Sequence, residues 1–192
     1  MRFKEFSKEL TELREIGKGW RGRVYRAEWK GQDIAIKVAK HKEVERAIRK
    51  EAEILSILRG MKEFPQLLLS GEDFLAYRFI EGVPLSRAGL SPDEELKVLK
   101  KVLEIAYKLD MMGINKDEFT RIDKNVLIDS LHRVYLIDFE RGKFSKRPSN
   151  LTQYMQFLVR KGVLPREEAI RLGKAYPRNK GEVFRTLLSK LK

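Results

Sequence analysis

Gly17-Lys18-Gly19-Trp20-Arg21-Gly22-Arg23-Val24 is the stretch on which the reading of this chain turns. Its glycines follow the spacing G-x-G-x-x-G-x-V. Alone, such a triplet is weak, because glycine also fills ordinary hairpin turns. The flanks give it weight. Leu13 to Ile16 before it and Val24 to Trp29 after it are rich in strand-forming residues. A dinucleotide-binding glycine loop opens a helix. A glycine loop between two strands makes a flap whose backbone can close over phosphates. Lys30-Gly31-Gln32 is a turn, and Asp33 to Ala39 then alternates with Ile34, Ile36 and Val38 on one face. Residues 13–39 therefore predict a three-stranded antiparallel meander.

The alternation sends Lys37, in Ala35-Ile36-Lys37-Val38, to the face opposite Ile36 and Val38. An outward strand lysine is commonplace. The helix that follows changes its meaning. Glu43 to Leu58 is periodic, with Val44, Ile48, Leu55 and Leu58 on one stripe and Gly60 ending it. Glu51 falls on that same stripe. A carboxylate there needs a cation, because a buried unpaired charge is costly. Lys37 and Glu51 are each awkward alone and make sense as an ion pair that aims the lysine at phosphates.

Further along, Leu67 to Leu69 and Phe74 to Ile80 read as strands, and Glu81-Gly82-Val83-Pro84 as a linker. This places a boundary between a unit at 1–82 and another at 83–192. Ser91-Pro92-Asp93-Glu94 is a capping box with proline at the first helical position. The helix it starts turns Leu96, Leu99, Val102, Leu103, Ala106 and Leu109 inward and stops at Gly113. Val126 to Ile128 and Val134 to Ile137 are short strands. Helices are expected at about 151–161, 165–175 and 181–191. Leu136-Ile137-Asp138-Phe139-Glu140 ends an apolar run on a carboxylate, a hard oxygen ligand suited to Mg²⁺.

Together these motifs make residues 13–140 resemble protein kinases. The match is to the compact atypical kind, such as the Rio family, the kinase subunit of the KEOPS tRNA-modifying complex, and archaeal proteins described as predicted Ser/Thr protein kinases. The resemblance implies an α+β, bilobal protein-kinase-like fold. Its N-lobe would be an antiparallel sheet and its C-lobe reduced and mainly helical. It further implies that Gly17, Lys18, Gly19, Gly22, Val24, Ala35, Lys37 and Glu51 surround ATP. Arg78, Phe79 and Ile80 would lie beside the base with Tyr77 behind it, and Asn125 and Asp138 would hold Mg²⁺. Ile-Asp-Phe-Glu-Arg-Gly departs from D-F-G and looks more like atypical kinases, including lipopolysaccharide-core sugar kinases.

The catalytic segment departs further. The family pattern is H-R-D or H-G-D with Asn five residues later. Here the run is Gly113-Ile114-Asn115-Lys116-Asp117-Glu118-Phe119-Thr120-Arg121-Ile122-Asp123-Lys124-Asn125. Aligned from Gly113-Ile114, Glu118 takes the catalytic position. Aligned from Asn125, it falls on Thr120, which is chemically poor. Glu118 is therefore the expected catalytic acid, and Asp117 and Asp123 are the other candidates.

Composition sets outer limits. The chain has 192 residues, no Cys and two His, which excludes a disulfide framework and a thiolate metal site and disfavours a histidine metal centre. No apolar run approaches the roughly 20 residues of a spanning helix, so a cytoplasmic protein is the expectation. Net charge is +13, and residues 141–192 carry 14 Lys or Arg against three acids. Such a segment suits an anionic partner such as nucleic acid. The expected function is an ATP- and Mg²⁺-dependent phosphotransferase acting on an alcohol, with a protein Ser or Thr as acceptor. Two alternatives stand beside it: a pseudokinase or ATP-binding switch subunit in an RNA-related assembly, and a sugar-type small-molecule kinase.

Overall fold

The computed structural model describes residues 1–192. The chain divides into two compact units, Met1–Glu81 with Ile137–Arg141, and Gly82–Leu136 with Gly142–Lys192. The fold class is α+β, with an antiparallel sheet in the N-terminal part and helices in the C-terminal part.

In the first unit, a short helix α1 (Phe3–Phe6) precedes the strands β1 (Thr11–Lys18), β2 (Gly22–Trp29) and β3 (Gln32–Ala39). Helix α2 (Lys42–Ile57) follows, then β4 (Leu67–Ser70) and β5 (Phe74–Arg78). All strand pairs are antiparallel, in the order β1-β2-β3-β5-β4. The β2–β3 turn places Lys30 at φ 51° and Gly31 at φ 74°. Both angles are left-handed, as a tight two-residue hairpin requires.

The alternation of β3 separates two faces. Ile34 and Ile36 join Ala27, Phe74 and Ala76 in a core that Phe6 completes. Phe6 stacks on Phe74 with centroids 4.9 Å apart and meets Trp29 edge-on at 5.5 Å. The sequence reading had no element at Phe3–Phe6. Its apolar pair is too short to show a period, and only the sheet face it covers gives it a role. On the opposite face, register aligns Val24 with Lys37, Lys37 with Leu75, and Ala35 with Tyr77.

The second unit opens with β6 (Val83–Pro84) and the long helix α3 (Pro92–Met111). The strands β7 (Ile114–Asn115), β8 (Val126–Ile128), β9 (Val134–Leu136) and β10 (Lys143–Phe144) follow, then helices α4 (Asn150–Arg160), α5 (Arg166–Ala175) and α6 (Lys180–Lys190). Small sheets pair β7 with β10 and line up β6-β8-β9. The capping box forms: Ser91 Oγ accepts from the Glu94 amide at 3.3 Å, and Glu94 accepts from the Ser91 amide at 2.8 Å. Leu96 is half-buried, whereas Val98 and Ile105 are buried. The stripe is wider than its periodicity suggested because α4, α6 and β9 all pack on α3. Gly113 ends the run at φ 70°.

Asp129 clasps the β8–β9 hairpin. Its carboxylate accepts from the amides of Leu131 (3.0 Å) and Arg133 (2.9 Å), from Arg133 Nε (2.7 Å) and from Tyr135 Oη (3.0 Å). Burial opposes the charge, but the Arg133, Tyr135 and Leu131 hydrogen bonds outweigh it and hold the pKa down at about 2. A depressed carboxylate stabilises the fold above its unfolded pKa of about 4 and loses that contribution as pH falls toward 2. Urea unfolding at pH 6 and pH 2.5 should therefore show a smaller acid loss for Asp129→Asn than for the wild type.

Candidate functional site

Lys37 is the centre of the first unit's charged cluster. It stands mid-strand on β3, and three carboxylates surround its ammonium. Glu51 Oε2 and Asp138 Oδ1 lie at 2.9 Å, and Glu140 Oε2 at 3.5 Å. Glu51 is 2% exposed on α2, on the stripe where the sequence placed it. Its other oxygen, Oε1, accepts the Phe139 amide at 3.0 Å. One glutamate thus ties β3, α2 and residues 138–139 together. Burial works against a charged Lys37, but attraction to Glu51 and Asp138, with hydrogen bonds to both, raises its pKa above the ordinary lysine value. The ammonium stays protonated throughout the neutral range.

Asp138 adopts φ 66°, a left-handed conformation uncommon outside glycine. Its side chain is 38% exposed. Phe139 is fully buried and meets Phe64 edge-on at 5.8 Å, so the carboxylate is presented by a well-anchored turn. Sequence reading treated Glu140 only as a substitute for glycine. It emerges as a member of the cluster: Oε1 accepts from Arg21 Nη1 at 3.2 Å while Oε2 faces Lys37. Arg21 belongs to the glycine loop. The recoverable signal was an acid two residues after Asp138, opposite a loop holding several cations.

None of the flap glycines needs a left-handed angle; their φ values are ordinary. Gly22 is required for closeness instead, since a Cβ there would sit 2.8 Å from the Val38 carbonyl oxygen. Gly19 accepts from Lys40 Nζ and donates to the Gly22 carbonyl at 2.9 Å, which shapes the β1–β2 turn. Trp20 at its tip is 82% exposed. Tyr77 shares the Lys37 face, and burial pushes its hydroxyl up to about 12. Phe79 has other duties. Its amide donates to the Asp33 carbonyl at 2.9 Å, and the Arg26 guanidinium lies 3.7 Å from its ring centroid. Asp33 and Glu81 hold Arg26 in place.

In the second unit, a buried polar knot fixes the segment that carries Asp117 and Glu118. Asp110, at the end of α3, is 3% exposed. Its carboxylate accepts from the amides of Asn150 (3.0 Å) and Leu151 (3.1 Å), from Asn150 Nδ2 (2.7 Å) and from Tyr176 Oη (2.6 Å). It therefore satisfies the first amides of α4 from another helix, where Ser149 supplies no side-chain cap. Burial raises the Asp110 pKa, with those four donors opposing. Asn150 reaches onward to the next segment. Its Oδ1 accepts the Lys116 amide at 2.8 Å and its Nδ2 donates to the Ile114 carbonyl at 2.7 Å. Asn115 Oδ1 accepts the Ser149 amide at 2.8 Å.

Gln153, one turn along α4, accepts the Phe119 amide at 3.1 Å and donates to Asp117 Oδ1 at 3.2 Å. Asp117 and Glu118 both take left-handed angles, φ 67° and 63°. Asp123 lies further on, in a 3-10 segment Phe119–Lys124 that Asn125 terminates just before β8. Sequence reasoning missed Asp110 and Asn150. The signal for Asp110 was present: an acid directly after Leu109, on the inward stripe of an amphipathic helix.

The model of a phosphotransferase enzyme family, APH, matches residues 12–132. The chain belongs to this family. The APH phosphotransferases are part of the protein-kinase-like superfamily. The matched span takes in the glycine loop, Lys37, Glu51 and the braced segment 114–119, and stops before Asp138. The chain is also similar to an uncharacterised protein of Methanocaldococcus jannaschii. The two are 35% identical over 86 residues, which is 44% of this chain and 72% of that protein.

For this APH family member, truncating Asn150 tests the brace. Asn150→Ala removes partners from a buried amide and a buried carbonyl, each loss costing about 1–3 kcal/mol. Native-state hydrogen exchange should then speed up at the Lys116 amide by roughly 10- to 100-fold.

Proposed function

We propose that this protein binds Mg·ATP on the Lys37 face of its first unit and transfers the γ-phosphoryl group to an alcohol. The observation that carries the reading is the Lys37–Glu51–Asp138 cluster, because a lysine held by one buried acid is a ready ligand for the α- and β-phosphates. Gly17, Lys18, Gly19, Gly22 and Val24 would cover the phosphates. Ala35, Tyr77, Arg78 and Ile80 would surround the base, with Phe79 bracing the edge of the sheet.

A divalent cation would depend on few protein ligands and on the phosphates themselves. Asp138 is the carboxylate with exposure to spare, at 38%, and a hard oxygen donor of that kind suits Mg²⁺. Asp138 is the Mg²⁺ ligand that the first unit would supply, and Asn125 is the further ligand that the kinase resemblance implies. When bound, the ion would neutralise phosphate charge. In the transfer, the acceptor oxygen forms the new bond to γ-phosphorus. The bond to the β–γ bridging oxygen breaks, and ADP leaves. We assign the acceptor's proton to Asp117, since Gln153 orients that carboxylate; Glu118 and Asp123 are the competing acids. A protein Ser or Thr is the acceptor that the kinase resemblance implies, and a sugar-type alcohol is the other acceptor class.

A binding-only, ATP-switched role is the second reading. Glu140 favours it, because its carboxylate already engages Lys37 and Arg21, the cations that phosphates would contact. Displacing Glu140 would then couple nucleotide arrival to flap movement.

Two measurements test these readings. Mg·ATP at 100 times its Kd should stabilise the fold by about 2.7 kcal/mol. That thermal shift should vanish in Lys37→Ala and Asp138→Ala, and its absence in the wild type overturns both readings. With Trp29→Phe, Trp20 becomes the single reporter, and flap closure should shift its emission to the blue. For catalysis, Asp117→Asn should lower kcat by about 10²–10⁴-fold with little change in KM for ATP. If Glu118→Gln does so instead, the proton assignment moves to Glu118. If ATP binds and no γ-phosphate moves to protein, water or sugars, the switch reading stands.

A further inference from the structure

The second unit carries a groove whose cations the phosphotransferase chemistry above leaves unused. A cavity of about 430 Å³ is lined by Arg121, Asp123, Lys124, Phe157, Arg160 and Lys161. Four of these lining residues are cationic and one is an acid. The cations come from two places, the 3-10 segment after Glu118 and the C-terminal end of α4 with its cap residue Lys161.

Two of the cations are held in place. The Arg160 guanidinium donates to the Thr120 carbonyl and lies 5.8 Å from the Phe157 ring centroid. Lys161 pairs with Glu95. Arg121 and Lys124 are exposed. The backbone of Arg121 breaks the 3-10 run at φ −133°, ψ 46°. Charge on this scale, around a cavity too small for a folded partner, suits a compact anion. Guanidinium groups also match the oxygens of a phosphate monoester in a fork geometry.

Position gives the groove its meaning. The Arg121 amide bonds the Glu118 carbonyl at 3.0 Å. Asp117 and Arg121 are four positions apart, a Cα span of at most about 14 Å. A molecule anchored by a phosphate in the groove would thus keep its hydroxyl within the neighbourhood of the proposed catalytic acid. We infer that the groove holds the phosphate of the acceptor, which makes the acceptor an already phosphorylated small alcohol of the sugar-phosphate class. This rests on the phosphotransfer reading and narrows its acceptor.

The experiment is a ¹⁵N amide-shift titration of the full chain, without nucleotide, at low salt. The probes are ribose 5-phosphate, ribose, and a ten-nucleotide RNA. Ribose 5-phosphate should shift the amides of 121–124 and 157–161, and ribose should not. Arg121→Ala with Lys124→Ala should weaken that binding at least tenfold, and Arg121→Glu should abolish it. Lys37→Ala should change it less than twofold. Asp123→Asn should tighten it. The proposal is overturned if ribose 5-phosphate leaves those amides unmoved, or if the double variant binds it unchanged. It is also overturned if the RNA binds at least 100-fold tighter with shifts running into α5 and α6, which would make the groove part of a nucleic-acid surface. The Mg·ATP thermal shift is an independent readout. A groove that binds ribose 5-phosphate in a protein that ignores Mg·ATP would sink the phosphotransfer reading and leave an anion site standing.

Discussion

A buried ammonium cannot stand alone, and the first unit is organised around satisfying the one on Lys37. The cost of removing that charge from water is several kcal/mol, and three carboxylates supplied by two different segments offset it. Glu51 must then sit on the inner stripe of α2, and α2 must dock where β3 presents its lysine. Residues 137–141, distant in sequence, are drawn into the same unit because Asp138 and Glu140 answer the same charge. Glu51 adds a second tie through the Phe139 amide, so the turn bearing Asp138 is fixed by hydrogen bond as well as by attraction.

The second unit solves a similar problem with a carboxylate. Asp110 is buried among four donors and leaves the first amides of α4 satisfied. Asn150 passes that order to the backbone at Ile114 and Lys116, and Gln153 passes it to Asp117 and Phe119. Two adjacent left-handed residues, Asp117 and Glu118, would be costly in a free loop. Here the flanking backbone is held on both sides by α4. The strain is concentrated in a braced segment that carries two adjacent acids.

Much of this was legible beforehand, for identifiable reasons. Alternation fixed the face of Lys37, and the 3.6-residue period fixed the face of Glu51. A salt bridge between such positions is a local consequence of two periods meeting. The capping box at Ser91 and the hairpin at Lys30-Gly31 were likewise readable, because the signal and the structure lie within a few residues of each other. Glu140, Asp110 and Asn150 were not read. Each acts on residues between 34 and 119 positions away, and no local period encodes a partner that far off. Helix α1 escaped for a related reason: two phenylalanines become a core element only once a sheet face exists for them to cover.

No helix is long and apolar enough to cross a membrane, and the sequence alone determined that much by the brevity of its apolar runs. While α1 and the short strands β6, β7 and β10 came only with the packed chain, the sequence also determined the five sheet strands of the first unit, the four longer helices after them, and the glycine loop with its lysine and glutamate. Those follow from periodicity and turn chemistry, which act over a handful of residues. The tertiary structure decided which groups share a charge. Only folding placed Glu140 against Arg21 and Lys37, set Asp110 as the cap of a helix 40 residues away, and drew Arg121 and Lys124 around one groove with Arg160 and Lys161. Electrostatic attraction and the need to satisfy buried polar groups act through space, so their partners are chosen by the packed chain and not by neighbours in sequence.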